Sequence, residues 1–247
     1  MIIMKVMLLN KGLLCLLSAC FVANAAVSPD RTRIIFNQSD KSVSVRLTNQ
    51  SPTVPYLAQS WIEDKAGKKS RNYITAIPPL LRLEGGEQAQ IRLMPQPTLA
   101  QLPADRETLF YYNIREVPPR SEKKNTMQIA MQSRLKVFWR PKAIQVAEGQ
   151  LNLIGQFDIS RSATGLTIKN KSAYFITVGY IGTNGKTLLP NTEGMMVEPF
   201  SETSQTIKNL PANFQIGLIG DYGGLNMFKV SCNSVQLVCH NESVKKV

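Results

Sequence analysis

The residues best suited to nucleophilic or redox chemistry are few, and they gather near one end of the chain. The single histidine, His240, lies seven residues before the last of 247. A Ser-His-Asp or Cys-His arrangement would therefore rest on a terminal tail, where chains fray, so a hydrolytic centre is not expected. Two cysteines, Cys232 and Cys239, stand in "SCNSVQLVCHN". In an oxidising compartment such a pair reads as a disulfide closing a short hairpin. A redox or metal site is the alternative, weakened because six intervening residues do not match C-x-x-C and one histidine is a thin ligand supply. The stretch "GTNGKT" at 182–187 resembles a phosphate loop only in part, because the first required glycine falls on Tyr180; Asn184-Gly185 reads better as a hairpin turn. No His, Cys or carboxylate cluster has metal-ligand spacing, and neither metal nor cofactor is expected. Two cations remain. Arg33 in "TRIIF" and Lys136 in "RLKVFW" sit among apolar neighbours, where a buried charge needs an anionic partner and an exposed one needs nothing.

The elements that position these residues begin behind a leader. Lys5 and Lys11, the apolar run "GLLCLLSACFVA" and the small residues "ANA" have the layout of a secretory signal peptide over 1–25, with the mature chain from Ala26. The apolar run is shorter than the roughly 20 residues of a membrane span, so no membrane insertion is expected. The remaining 27 basic and 17 acidic residues give a formal +10. Nucleic acid is not expected as a partner, because Lys and Arg are spread over both halves and export removes the usual target. The densest cluster, "PPRSEKKN" at 118–125, reads as a solvated turn.

Short alternating or β-branched runs recur: "TRIIF", "SVSVRLTN", "YLAQSWIE", "AQIRLMP", "TLFYYNIRE". Turn residues separate them at sandwich spacing, and no amphipathic helix is evident. After "WRPKAIQVAEGQ" the pattern restarts with "LNLIGQF", "GLTIKN" and "YFITVGYIG". The fold class predicted is all-β, two sandwiches with their boundary near 141–150, where Pro141 ends the long strand and Glu148-Gly149 offers a turn. One stretch does not fit a single small domain. In "NTMQIAMQSRLKVFW" the odd positions Met127, Ile129, Met131, Ser133, Leu135, Val137 and Trp139 alternate with mostly polar residues, which predicts a strand over 127–139. Thirteen residues span roughly 43 Å at strand rise, far more than the usual five or six. Part of its apolar face must be covered by something else.

The blocks "AVSPDRTRIIF", "PYLAQSWIED", "LPADRETLFYYNIREVPPRSEKKN", "QSRLKVFWRPKAI" and "DYGG" resemble, in order, the periplasmic pilus-assembly chaperones of the chaperone–usher pathway. The resemblance covers essentially all of 26–240. It implies two immunoglobulin-like domains, 26–145 and 146–247, set as an L around a cleft, and a non-enzymatic, periplasmic protein whose partners are pilus subunits and an outer-membrane usher. Met127, Ile129 and Met131 match the family's donor residues, which complete a subunit lacking its last strand; when free, the same strand could pair with another copy. Arg33 and Lys136 match the pair that grips the subunit's terminal carboxylate. Arg92, Glu107 and Asp221 match an ion network between the domains. Strict alternation sets Lys136 opposite the donor residues, so a bulge or twist near Ser133 is expected to re-aim it. Six residues between the cysteines imply a longer terminal hairpin than in close relatives, methionine at 127 and 131 implies an adaptable donor face, and the short 117–125 segment resembles the branch that builds rod-like pili. A pilus component is the competing reading; it is disfavoured because both sandwiches look complete and no donor extension precedes the first strand.

Overall fold

The structure, a computed structural model, describes residues 25–122, 125–147, 149–190, 192–233 and 238–243. The leader at 1–25 thus lies, but for its last residue, outside the described residues, as do Glu148 of the expected linker turn and the tip of the terminal hairpin. No described helix is long and apolar enough to cross a membrane.

The first half contains β1 (Val27–Pro29), β2 (Arg33–Asn37), β3 (Val43–Asn49), β4 (Tyr56–Glu63), β5 (Ile74–Ile77), β6 (Leu80–Leu83), β7 (Gln88–Pro95), β8 (Thr108–Val117) and β9 (Gln132–Arg140). They form a four-stranded sheet, β1-β3-β7-β5, and a five-stranded sheet, β2-β9-β8-β4-β6. Alternation dictates what faces inward. Val45 and Leu47 from β3, Ile91 and Leu93 from β7, and Phe110, Tyr112 and Ile114 from β8 meet Leu135, Val137 and Trp139 from β9 in one core. Phe36 meets Trp139 edge to face at 5.5 Å, and the buried Tyr112 and Ser60 hydroxyls satisfy each other at 2.9 Å.

The second half contains β10 (Phe157–Arg161), β11 (Gly165–Asn170), β12 (Ile176–Gly182), β13 (Met195–Val197), β14 (Glu202–Thr206), β15 (Asn213–Ile219), β16 (Leu225–Cys232) and β17 (Val238–Ser243). It has its own core, around Phe157, Ile168, Ile176, Val178, Ile216 and Val230. These strands form one continuous sheet, β13-β12-β15-β16-β17-β10-β11-β14, because β17 pairs with β16 along one edge and with β10 at Ile159↔Cys239 and Ser160↔Val238 along the other. Cys232 and Cys239 are register partners on β16 and β17 and are joined by a disulfide, as expected. Asn184 accepts hydrogen bonds from the backbone N–H groups of Lys186 and Thr187 and Gly185 adopts φ 76°, so "GTNGKT" is a turn.

Each half is locked by a buried asparagine that ends a core strand, Asn49 on β3 and Asn170 on β11. Asn49 Nδ2 donates to the carbonyls of Val54, Leu83 and Glu84. Asn170 Nδ2 donates to those of Tyr174 and Glu198, and each Oδ1 accepts from the N–H two residues on, Ser51 or Ser172. The two N-x-S triplets are therefore structural clamps.

Candidate binding cleft

β2 pairs with β9 in parallel, setting Arg33 beside Lys136. Residues opposite each other in a ladder share a face. Leu135, Val137 and Trp139 enter the core of the first half, so Lys136, Phe138 and Arg140 face outward, and Phe138 and Arg140 meet the second half. The expected bulge near Ser133 is absent: β8 and β9 keep unbroken register from Arg115↔Gln132 to Thr108↔Trp139. Strict alternation instead splits the strand. Odd positions continue the row that starts at Met127, and even positions lie on the outer face, of which Phe138 and Arg140 line the cleft.

Arg33 is 9% exposed and Lys136 is half-buried. Burial pulls the Lys136 ammonium below its ordinary range, and the neighbouring Arg33 pushes the same way. Burial likewise lowers Arg33, against the pull of Asp221. Arg33 Nη1 donates to the Ile219 carbonyl at 3.1 Å, while its buried Nε has no partner. Two like charges thus lie side by side, one with an unmet donor, which leaves hydrogen-bonding capacity at a positively charged spot.

A third cation closes the junction. Arg140, 3% exposed, donates through Nε and Nη2 to Glu107 Oε1 at 2.9 and 2.7 Å and through Nη1 and Nη2 to Asp221 at 2.9 and 3.1 Å. Glu107 Oε2 accepts from the Phe175 N–H at 2.8 Å, and Glu107 N–H donates to the Ala173 carbonyl at 2.9 Å. Phe138 packs on Phe175 with ring centroids 5.5 Å apart. Burial pushes the Glu107 carboxyl up to about 6, a cost only partly offset by Arg140 and the Phe175 N–H. The expected trio thus needs a correction: Arg92 is exposed on β7, in register with Ser44 and Ile77, and Arg140 occupies the place assigned to it. Period two offered the signal, because Arg140 shares the parity of Lys136 at the end of the same strand.

Between the halves lies a cleft of about 660 Å³, walled by Arg33, Phe138 and Arg140 on one side and by Leu153, Phe175, Ile219 and Met227 on the other.

The expected long strand also needs a correction. Ladder pairing with β8 starts at Gln132, and one more backbone bond, from the Glu116 N–H to the Met131 carbonyl at 3.0 Å, precedes it; among the described strands none runs through 126–130. Gln128 folds back, donating to the Pro119 carbonyl at 2.6 Å and accepting from the Ser121 N–H at 3.3 Å. Met127, Ile129 and Met131 stand 86%, 71% and 39% exposed. Beyond them, β2 covers the edge of β9 only from Lys136 to Arg140, so Gln132–Leu135 present an edge unpaired among the described strands. A charged cleft, an open strand edge and an apolar ribbon thus run in one line.

Two β-domains meeting at such a cleft define a protein built to hold another polypeptide. The chain belongs to the pili assembly chaperone family: residues 26–145 match the model described as "Pili and flagellar-assembly chaperone, PapD N-terminal domain", and 152–229 match "Pili assembly chaperone PapD, C-terminal domain". It is 50% identical to the uncharacterized fimbrial chaperone YqiH of Escherichia coli (strain K12) over 220 residues, 89% of this chain and 88% of that one. It is 40% identical to the chaperone protein PapD of Escherichia coli over 214 residues, covering 85% and 88%. The crystal structure of the periplasmic chaperone SfaE superposes with a TM-score of 0.67 at 30% identity, covering 82% of this chain and 98% of that one.

Proposed function

We propose that this chaperone works in the periplasm by lending the ribbon Met127–Met131 and the adjoining edge of β9 to a pilus subunit that lacks a strand, and then passes the subunit to an outer-membrane usher. The observation that carries this reading is the ribbon itself: three apolar side chains of one parity, exposed and in line with an open β edge. An exposed apolar edge is an aggregation hazard unless a partner uses it. Strand addition supplies backbone hydrogen bonds for affinity and alternate side chains for specificity. Arg33 and Lys136 grip the subunit's terminal carboxylate and so fix the register of the added strand. The role needs no catalytic group, and the ribbon left empty pairs with a second copy of the chain.

Lys136→Ala and Ile129→Asp test this together. Both variants remain folded by circular dichroism, since Ile129 is 71% exposed and Lys136 lies outside the core. Both lose subunit in a pull-down from periplasm, Lys136→Ala by about thirtyfold or more, because removing one partner of a desolvated charge pair costs about 2–5 kcal/mol. A folded Lys136→Ala chain with undiminished affinity removes the anchor. A folded Ile129→Asp chain with full affinity removes the donor strand.

A further inference from the structure

The outer face of the five-stranded sheet carries a second charged feature, away from the cleft network. Three register rows bring it together: Glu63–Tyr111–Lys136, Trp61–Asn113–Arg134 and Gln59–Arg115–Gln132. Aromatic rings hold its cations in place. Arg134 lies over Tyr111 at 3.5 Å, while Lys69 and Arg115 lie over Trp61 at 4.6 and 5.3 Å. All three cations are exposed. One carboxylate, Glu63, answers them, accepting from Arg134 Nε at 3.1 Å and Trp61 Nε1 at 2.9 Å. The cationic row continues through Lys136 to Arg33, which Asp221 of the second half attracts.

Stacking on a ring fixes a cation without neutralising it, so its ordering cost is met before any partner arrives. The face is also continuous with the strand edge: Arg115 donates to Gln132 Oε1 at 2.9 Å, and Arg134 sits on β9 where its edge is open. Anything added to that edge lies beside this surface. We infer that Lys69, Arg115 and Arg134 form a subunit-selecting surface that takes an acidic flank on the pilus subunit, beside the groove the ribbon fills. The inference rests on the donor-strand reading. A fixed positive field of this kind acts chiefly on the rate of encounter and on partner choice, and salt weakens it.

The probe is the pilus subunit recovered from the wild-type complex, identified by mass spectrometry and diluted from denaturant into the mature chain, with association followed by stopped-flow fluorescence. For the wild type, the association rate falls about tenfold or more between 20 and 300 mM salt. With Lys69→Glu, Arg115→Glu and Arg134→Glu together, the rate at 20 mM drops about tenfold, most of the salt dependence disappears, and dissociation stays within about twofold. The corresponding Gln variants, which keep side-chain bulk, show the same trend more weakly and serve if the reversed chain does not fold. A wild-type rate insensitive to salt, or charge variants as fast as the wild type, overturns the selecting surface while Ile129→Asp still blocks binding. If Ile129→Asp binds normally too, the donor-strand reading falls with it.

Discussion

Glu107 is the residue whose environment is most at odds with its charge. It is 4% exposed, and burial pushes its carboxyl from 4.5 up to about 6. A carboxyl raised in the folded state contributes stability that is fully present below its unfolded value and is lost as pH rises through its folded value. The window here is pH 4.5 to 6, and the gap is worth about 2 kcal/mol. The wild-type chain therefore loses stability from this group as pH rises from 4.5 to 7, whereas a carboxylate lowered by its partner, such as Asp30 beside Arg31, contributes in the opposite direction and at lower pH. Urea unfolding of wild type and Glu107→Gln at pH 5 and 7.5 isolates it: the difference in stability between the two chains shifts toward the variant at the higher pH. A pH-independent difference refutes the assignment. A charge set among apolar neighbours singled out Arg33 and Lys136 in the sequence, although alternation sets Lys136 on the face opposite the donor residues. Arg92 was misassigned because a residue's partners across a domain junction depend on how the two halves meet, which local pattern does not encode.

At the scale of elements, the alternation from Met127 to Trp139 was readable, but the point where pairing stops was not. That point depends on where the neighbouring β8 turns away, a property of the pair and not of the strand. The closure of the second half was equally hidden, since β10 and β17 touch at only two register positions far apart in sequence. The cysteines were legible because spacing and compartment alone argue for them. Their link joins the strand pair that carries this closure, at the far end of β16 from Leu225 and Met227, which line the cleft. Replacing both Cys232 and Cys239 by Ser thus lowers stability by roughly 2 kcal/mol on the loop-entropy account and leaves subunit capture intact. Denaturant midpoints and the periplasmic pull-down report the two effects separately, and a folded double variant that captures no subunit would contradict this separation.

At the scale of the whole molecule, the two cores are separate, so the angle between them is set by what crosses the junction. Arg140 bonds Glu107 on its own half and Asp221 on the other, Glu107 reaches the backbone at Ala173 and Phe175, and Phe138 stacks on Phe175. Lys65 adds an ion pair to Glu198, but both side chains are about half exposed, and such pairs contribute little. The buried set dominates for a different reason than strength: each member leaves an uncompensated charge if another is removed. Arg140→Ala strands Glu107 in a site that is already costly, and about 3–5 kcal/mol of destabilisation follows. Asp221 is more exposed, with a side chain 19% accessible, and Asp221→Asn keeps an acceptor for Arg140, so its effect is smaller and falls on orientation. Small-angle scattering of Asp221→Asn then shows a broader distribution of interdomain distances, and limited proteolysis cuts faster between 141 and 156, while each half keeps its own unfolding transition. Since Arg33 spans the same junction through the Ile219 carbonyl, loosening it also shifts the wall against which a subunit carboxylate would seat. Subunit affinity should fall in Asp221→Asn although the residue touches neither ribbon nor anchor pair. Scattering, proteolysis and affinity all matching the wild type would show that the angle is held without Asp221, by the Glu107 and Arg33 backbone bonds and Phe138–Phe175 packing.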